Sequence, residues 1–189
     1  MKKFNLMLAA VLVAGAVSAQ TWALDKNHAK LGFEVTHLLI SDVEGSFNSF
    51  EATLNSSKDD FSDAVIELTA DVNTVFTNNE YRDKDLKSEN FFDATKFGTL
   101  TFKSTSFKKI EGRNYKLSGN MTIHGVTKPV ELDVVLNGPI EHPRNKKLVA
   151  GFKVKGKINR KDFGVGEKAP NAAISEEVII YANAEFIKG

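Results

Sequence analysis

Residues 115–136 alternate apolar and polar side chains at period two, and this pattern constrains the fold more than any other part of the chain. The first run is apolar at every second position from Tyr115 to Ile123, and the second from Val130 to Leu136. The polar segment 124–129, which contains Gly125, separates them. Two alternating runs around a short turn predict a β-hairpin with one apolar and one wet face.

The same alternation recurs along most of the chain and predicts an all-β protein. Eight or nine strands with one wet face favour an antiparallel barrel or sandwich, and a closed barrel has an inside that can hold a ligand. The predicted strands are 22–24, 31–37, 47–54, 65–72, 100–107, 115–123, 130–136, 148–158 and 178–186. Breaks are expected at 25–28, 41–45 and 137–147. Residues 79–94 lack alternation and predict one or two short helices across a sheet end.

The first nineteen residues resemble a signal peptide. Lys2 and Lys3 precede an apolar run from Leu6 to Val17, and small residues precede a predicted cleavage site before Gln20. The run is too short to span a bilayer comfortably. We therefore expect residues 20–189 to form one exported domain, located in a periplasm or secreted. Because the chain has no cysteine, burial of apolar side chains must hold this domain together.

Charge and motif composition give little support for nucleic-acid binding or catalysis. Without Lys2 and Lys3, the formal net charge changes from +1 to −1, and no long basic run attracts nucleic acid. The histidines, His28, His37, His124 and His142, show no close ligand spacing, so we predict neither a metal site nor a cofactor. No nucleophile elbow is present, and we predict no catalytic residue. Distant acid–base partners leave an enzyme open as an alternative, with His37 or His124 beside a carboxylate.

Two arginine-containing segments and two glycines each leave two interpretations open. Arg82 and Arg160 lie where patterns end, so each is expected either to form a structural ion pair at a barrel end or to serve as a polar gate or headgroup site. Gly119 and Gly156 lie within inward-facing rows. They mark either a bend around an enclosed space or packing against an aromatic ring.

Several ordered motifs make the chain similar to the YceI-like family, which are periplasmic proteins with a lipocalin-like barrel that bind polyisoprenoid or related lipids. The matching segments cover nearly the whole of residues 20–189 and are 22–25 with His28, 33–38, 43–47, 82–88, 90–93, 117–128 and 158–164. One departure is Lys84, which stands where the family usually has a histidine. A role for a histidine at that place is therefore not carried over.

The resemblance implies a lipocalin-like antiparallel eight-stranded barrel whose channel holds an isoprenoid chain, such as a polyprenyl lipid or a quinone tail. Leu86, Phe91 and Phe92 are expected to cap one end of this channel. Its predicted lining is Phe33, Val35, Leu68, Phe102, Leu117, Met121, Leu132, Val134, Phe152 and Val154. Expected partners are an isoprenoid or other long-chain lipid and a transient membrane contact, with the oligomeric state open and a homodimer among the options. The rivals are an enzyme acting on a lipid or small amphiphile, and a stress-related or structural partner protein with a solid barrel.

Overall fold

A computed structural model describes residues 20–189; the predicted signal peptide, residues 1–19, lies outside this range. The described residues form ten β-strands and one α-helix. In chain order these are β1 Gln20–His37, β2 Ser41–Phe47, β3 Phe50–Ser56, β4 Val65–Asp71, β5 Val75–Phe76, α1 Glu80–Lys87, β6 Thr99–Glu111, β7 Asn114–Ile123, β8 Val126–Glu141, β9 Leu148–Asn159 and β10 Ile174–Lys188. Short 3-10 turns occupy Val72–Thr74 and Arg160–Phe163.

Eight of the strands close into an antiparallel barrel, which confirms the predicted fold class. The order around the ring is β1-β3-β4-β6-β7-β8-β9-β10, and β10 pairs back to β1. Strand β1 is long enough to pair with two neighbours on one side: residues 20–23 pair with β3, and residues 32–37 pair with β2. The two-residue strand β5 extends the sheet beyond β2. Closure leaves one enclosed face for the apolar side chains.

The predicted strand boundaries were wrong in several places. Strand β8 begins at Val126 rather than at 130, β6 continues to Glu111, and the predicted strand 47–54 crosses the turn between β2 and β3. The expected turn at 25–28 is a bulge within continuous β1, where the pairing with β10 shifts between Asp25 and Ala29. The expected break at 41–45 belongs to β2, and β8 continues to Glu141 within the expected loop 137–147. Polar and glycine residues resemble turns in the sequence, but 41–45 are kept extended here by pairing with β1 and 137–141 by pairing with β9.

The predicted helical segment is confirmed over part of its length. Helix α1 begins after Asn79, whose side chain accepts a hydrogen bond from Arg82 N at 3.0 Å. It ends at Lys87, and residues 88–97 form successive turns. An N-cap asparagine satisfies one of the amides that the first turn leaves without a partner. The cap thereby fixes where the helix starts.

An aromatic cluster fills the barrel end away from α1. Phe61, in the loop between β3 and β4, is fully buried and lies 5.0 Å from Trp22 between ring centroids. Phe107 stacks on Tyr115 at 4.6 Å, and the Tyr115 hydroxyl donates to Asp60 O at 3.2 Å. The cluster consists of Trp22, Phe61, Phe107, Tyr115, Phe152 and Phe186. Large rings in stacked, tilted and edge contacts close this end with apolar surface.

The two glycines of the inward rows mark places of close approach. A Cβ at Gly119 would lie 2.4 Å from Cζ of Phe102, and a Cβ at Gly156 would lie 2.4 Å from Cδ2 of Leu132. Gly119 therefore supports the packing interpretation, because the Phe102 ring covers its backbone. At Gly156 the neighbouring side chain is a leucine rather than an aromatic ring.

Candidate functional site

The barrel interior contains two adjoining cavities rather than a solid core. The inner cavity, of about 120 Å³, lies among the barrel strands and is lined by apolar side chains apart from Tyr181. The outer cavity, of about 560 Å³, lies toward α1. Five residues line both: Phe33, Phe47, Leu100, Ile123 and Ile180. An apolar path therefore runs from the α1 end toward the aromatic cluster.

Most of the predicted lining residues lie at these cavities. Eight line the inner cavity: Phe33, Leu68, Phe102, Leu117, Met121, Leu132, Phe152 and Val154. Phe33 also lines the outer cavity, as do Val35, Leu86, Phe91 and Phe92. Their contact with a ligand stays a prediction.

Val134 is the exception, because it lines neither cavity. It is 1% exposed and stands opposite Tyr115 in the pairing of β7 with β8. The structure therefore places it in the packed core. Alternation gives the face on which a side chain lies, but it cannot distinguish a filled part of the interior from an open one.

Sequence reasoning missed part of the lining. The alternating row of β10 supplies Ile180, Ala182 and Ala184 to the inner cavity, and the period-two pattern was sufficient to find them. Segment 163–173 supplies Phe163, Val165 and Ala173 to the outer cavity, and Ile174 adds the first side chain of β10. This segment lies between β9 and β10 and has no strand periodicity, so alternation did not mark its side chains.

Polar groups meet the apolar lining at the mouth of the outer cavity. The carboxylate of Asp83 accepts hydrogen bonds from Thr77 N at 2.8 Å and from the Thr77 hydroxyl at 2.5 Å. Arg82 Nε donates to the same hydroxyl at 2.7 Å, and Arg82 Nη2 donates to Thr77 O at 2.7 Å. Arg82, Thr77 and Asn79 line the cavity together with the exposed side chains of His37 and Asp85.

Arg160 is bound by main-chain carbonyls. Its Nε donates to Ser175 O at 3.0 Å, and Nη1 donates to Val165 O at 2.9 Å and to Gly166 O. Its Nη2 donates to Ala169 O at 3.1 Å and to Ile174 O at 3.2 Å. A guanidinium has five N–H donors, so the set is complete. Burial lowers the pKa of this group.

The expected ion pairs of Arg82 and Arg160 are therefore wrong. Across residues 20–189, no salt bridge joins either guanidinium to a carboxylate. Carbonyl oxygens satisfy Arg160, and Thr77 is the hydrogen-bond partner of the Arg82 side chain. Arg160 thus ties the turn after β9 to the start of β10. Arg82 remains at the cavity mouth.

The histidines proposed for catalysis make no hydrogen bond or salt bridge to a carboxylate of residues 20–189. The ring of His124 packs edge-on against Phe97 at 4.6 Å, and His37 lies exposed at the cavity mouth. Within the described part of the chain, the side-chain hydrogen bonds and salt bridges give neither of them a carboxylate partner. The pairing required by the enzyme alternative is therefore not formed by these two groups in this structure.

One surface cluster was not anticipated. At the β1 bulge, His28 Nδ1 lies 2.9 Å from Asp25 Oδ2 and 3.9 Å from Glu185 Oε2. The hydrogen bond with Asp25 raises the pKa of His28 and lowers that of Asp25. Glu185 is distant in the sequence, so ligand spacing could not indicate this group. Its position on the outer surface separates it from the cavities.

No helix in residues 20–189 combines the length and apolar character needed to cross a membrane.

The closed ring of strands and its two cavities define a small antiparallel β-barrel with an open, mainly apolar interior. A family model described as the YceI-like domain matches residues 22–186, and the chain belongs to this family. It is 38% identical over 185 residues to a UPF0312 protein of Pectobacterium carotovorum, with 95% of each chain covered.

Solved structures share the barrel. A Campylobacter jejuni YceI protein is 27% identical and superposes with a TM-score of 0.74, over 100% of this chain and 99% of that one. A domain from Saccharophagus degradans, described as polyisoprenoid binding, is 14% identical. It superposes with a TM-score of 0.64 over 89% of this chain and 98% of its own. This second likeness extends the fold to a distant sequence.

Proposed function

We propose that this chain is an exported lipid-binding protein that holds a long apolar chain, of polyisoprenoid or quinone type, inside its barrel. The observation that carries the proposal is the apolar path formed by the two cavities. The outer cavity, at about 560 Å³, is within the range of small-molecule sites, which runs from roughly 300 to 1,000 Å³. The inner cavity extends the same lining deeper among the strands.

Burial of hydrocarbon is sufficient to explain useful affinity. Each buried methylene contributes about 0.8 kcal/mol. Micromolar binding corresponds to about 8 kcal/mol, so roughly ten buried carbons supply that amount before ordering costs are subtracted. A few isoprene units contain this many carbons. The remaining length of a longer chain would have to fit the inner cavity or stay outside the mouth.

The polar rim gives the ligand a direction. The apolar chain would extend inward past Phe33 and Ile180, which line both cavities. A polar end group would remain near Arg82 and His37, where water has access. Arg82 uses Nε and one N–H of Nη2 on Thr77, so the outer edge of its guanidinium is available to an oxygen acceptor.

Two comparisons support the identity of the cargo. The chain belongs to the YceI-like family, and a structure with the same fold is described as a polyisoprenoid-binding domain. Binding without chemistry is the simplest activity for a cavity of this kind. The mechanism is removal of an apolar chain from water.

Export and a periplasmic location rest on the first nineteen residues. The test is expression of the full chain in a Gram-negative host, followed by fractionation and N-terminal sequencing. A periplasmic product that begins at Gln20 is the expected result. An uncleaved product in the cytosol would contradict this part of the proposal.

The binding claim is tested by organic extraction and mass spectrometry of the protein purified from its own host. We expect about one lipid per chain, consistent with one apolar path through the two adjoining cavities, and homologues that differ by whole isoprene units. Recovery of no lipid, together with no uptake of added polyprenols or quinones, would refute the proposal.

Incubation of the loaded protein followed by a second extraction tests the enzyme alternative. That alternative predicts that the mass of the lipid changes, and that His37→Ala or His124→Ala abolishes the change.

A further inference from the structure

The hairpin between β1 and β2 ends in three consecutive exposed apolar side chains. Leu38, Leu39 and Ile40 are 52%, 70% and 83% exposed. We refer to these three residues as the hairpin tip. Hairpin turns usually carry polar residues or glycine, and an exposed cluster of large apolar side chains marks an interaction surface more often than a random feature.

The backbone of the hairpin tip makes this composition more unusual. Leu38 has φ 51° and Leu39 has φ 62°, so both are in the left-handed region. Turns of this kind favour Gly, Asn or Asp, because a Cβ is disfavoured there. The two leucines therefore adopt a backbone conformation that is unfavourable for a residue with a Cβ, and they also expose apolar side chains to water. A role for their side chains outside the fold accounts for both costs.

The hairpin tip adjoins the mouth of the outer cavity. Leu38 N donates to Ala173 O at 3.0 Å, and Ala173 lines that cavity, as does His37 at the end of β1. Tyr81 on α1 lines the same mouth and is 90% exposed. Apolar and amphipathic side chains thus project from two elements around the opening. Aromatic rings with a polar tip are typical of the membrane–water interface.

We propose that the hairpin tip and Tyr81 dock this protein on a lipid bilayer, with the cavity mouth facing the membrane. This inference rests on the proposed lipid-binding function, because an apolar cargo has to come from and return to a membrane. Docking at the mouth shortens the path on which the chain would be exposed to water. Each inserted side chain would enter the acyl boundary, as the apolar faces of interfacial proteins do.

Size and charge favour a bilayer over other occupants. A standard protein interface buries about 800 Å² on each partner, and a three-residue tip with one tyrosine supplies only part of that. Residues 31–47 carry Glu34, Asp42 and Glu44 and no Lys or Arg, and α1, which carries Tyr81, has three acidic and three basic side chains. Docking is therefore driven by apolar insertion. It requires no anionic lipid, unlike docking through basic patches.

The test compares residues 20–189 with a tip variant carrying Leu38→Asn, Leu39→Gly and Ile40→Ser. Asn and Gly suit the left-handed backbone, so the fold is expected to be retained. The probe is co-sedimentation with neutral phosphatidylcholine vesicles, together with the rate of polyprenol transfer from those vesicles. We expect the variant to lose about tenfold or more in vesicle partition and transfer rate, because the apolar area that it inserts is gone. Uptake of polyprenol from detergent solution should be unchanged.

The matched control is Ile110→Ser. Ile110 is 62% exposed near the β6–β7 turn, at the barrel end of the aromatic cluster. The Ile110→Ser variant should bind vesicles as the unmodified chain does. Equal vesicle partition of the tip variant and the unmodified chain would overturn the proposal. The proposal would also be overturned if the unmodified chain formed a dimer that did not bind vesicles, and if the tip variant were monomeric. A second copy of the chain would then cover the hairpin tip.

Failure of lipid binding and failure of membrane docking give different results in these experiments. If the unmodified chain takes up no polyprenol from detergent, the lipid-binding function is refuted. A loss of vesicle binding in the tip variant would still support membrane docking in that case. If uptake from detergent is normal while vesicle binding is absent, lipid binding stands and docking is overturned.

Discussion

Phe61 stands edge-on against Phe152, with ring centroids 5.7 Å apart and an interplanar angle of 87°. Phe61 comes from the loop between β3 and β4, whereas Phe152 comes from β9, so one ring contact fastens an irregular loop across the barrel end. Phe61 is 0% exposed. The contact therefore separates the inner cavity from solvent on the side away from α1.

Phe61→Ala is expected to lower the free energy of unfolding by about 3–5 kcal/mol, because a buried ring is replaced by a cavity. Urea unfolding followed by circular dichroism measures the change. The control is Phe76→Ala, because Phe76 is 47% exposed on β5 and should change stability much less. Similar losses in the two variants would contradict the role assigned to Phe61.

The same loop is held by the carboxylate of Asp63. Its Oδ1 accepts from the Ser56 hydroxyl at 2.5 Å, and its Oδ2 accepts from Ser57 N at 3.0 Å and from the Ser57 hydroxyl. These hydrogen bonds, led by that of Ser56, hold the pKa of Asp63 well below its ordinary value. Because the pKa of Asp63 is lower in the folded chain than in the unfolded chain, its ionised carboxylate stabilises the fold at pH values above the unfolded pKa of about 4. This contribution to the free energy of unfolding is lost as the pH falls toward the folded-state pKa.

Asp63→Asn should therefore destabilise the protein by about 1–3 kcal/mol near neutral pH, because charge-assisted hydrogen bonds are weakened. The difference between the variant and the unmodified chain should narrow as the pH falls below about 4. Urea unfolding at a series of pH values gives the curve. Asp59→Asn, at an exposed acid of the same loop, is the control. A difference that is constant across pH would refute the assignment.

Arg160→Lys tests the carbonyl cage, by which we mean the five main-chain carbonyls from the turn after β9 to the start of β10 that accept hydrogen bonds from Arg160. Lysine has three donors, so at least two of the five carbonyls that Arg160 satisfies would lose their partner. We expect a loss of about 2 kcal/mol or more, since each buried unpaired group is costly. Arg144→Lys, at an exposed loop position, should be nearly neutral in thermal unfolding. Equal melting temperatures for the two variants would be inconsistent with the cage.

Gly119→Ala and Gly151→Ala form a matched pair on the barrel wall. A Cβ at Gly119 would meet the Phe102 ring at 2.4 Å, whereas a Cβ at Gly151 would meet Asn137 at an ordinary 3.8 Å. The first change should cost about 1–3 kcal/mol through overpacking. The second should leave stability unchanged or slightly raised. Chemical denaturation distinguishes them, and a neutral Gly119→Ala would show that the Phe102 ring moves aside easily.

The sequence was sufficient for the barrel because strand periodicity is local. In rows such as Leu117–Met121 and Ile180–Ala184, alternation indicates which side chains face inward. The resemblance to a family indicated that the sheet closes into a barrel. The bulge at 25–28 was not predictable, because polar residues resemble a turn until the pairing of β1 with β10 is known. Phe61 was missed for a related reason, since loop residues have no period that marks burial.

The candidate site was predictable only in part. Alternation identified side chains that face the interior, but the open volume depends on how large rings and small residues fit together. Val134 faces inward and is packed, while Ile180 faces inward and borders open space. The carbonyl cage of Arg160 depends on segment 165–175, whose path no local pattern specifies.

The most direct measurement of the central claim is lipid loading in two tryptophan variants of β10. Ile180 lines both cavities, whereas Ile179 is the preceding residue on the same strand and lines neither. A tryptophan at position 180 would fill the junction of the cavities, so Ile180→Trp should lose most of the bound lipid or retain only shorter chains. Ile179→Trp should load as the unmodified chain does. Equal amounts and equal chain lengths in mass spectra of both extracts would show that the lipid does not lie in the barrel.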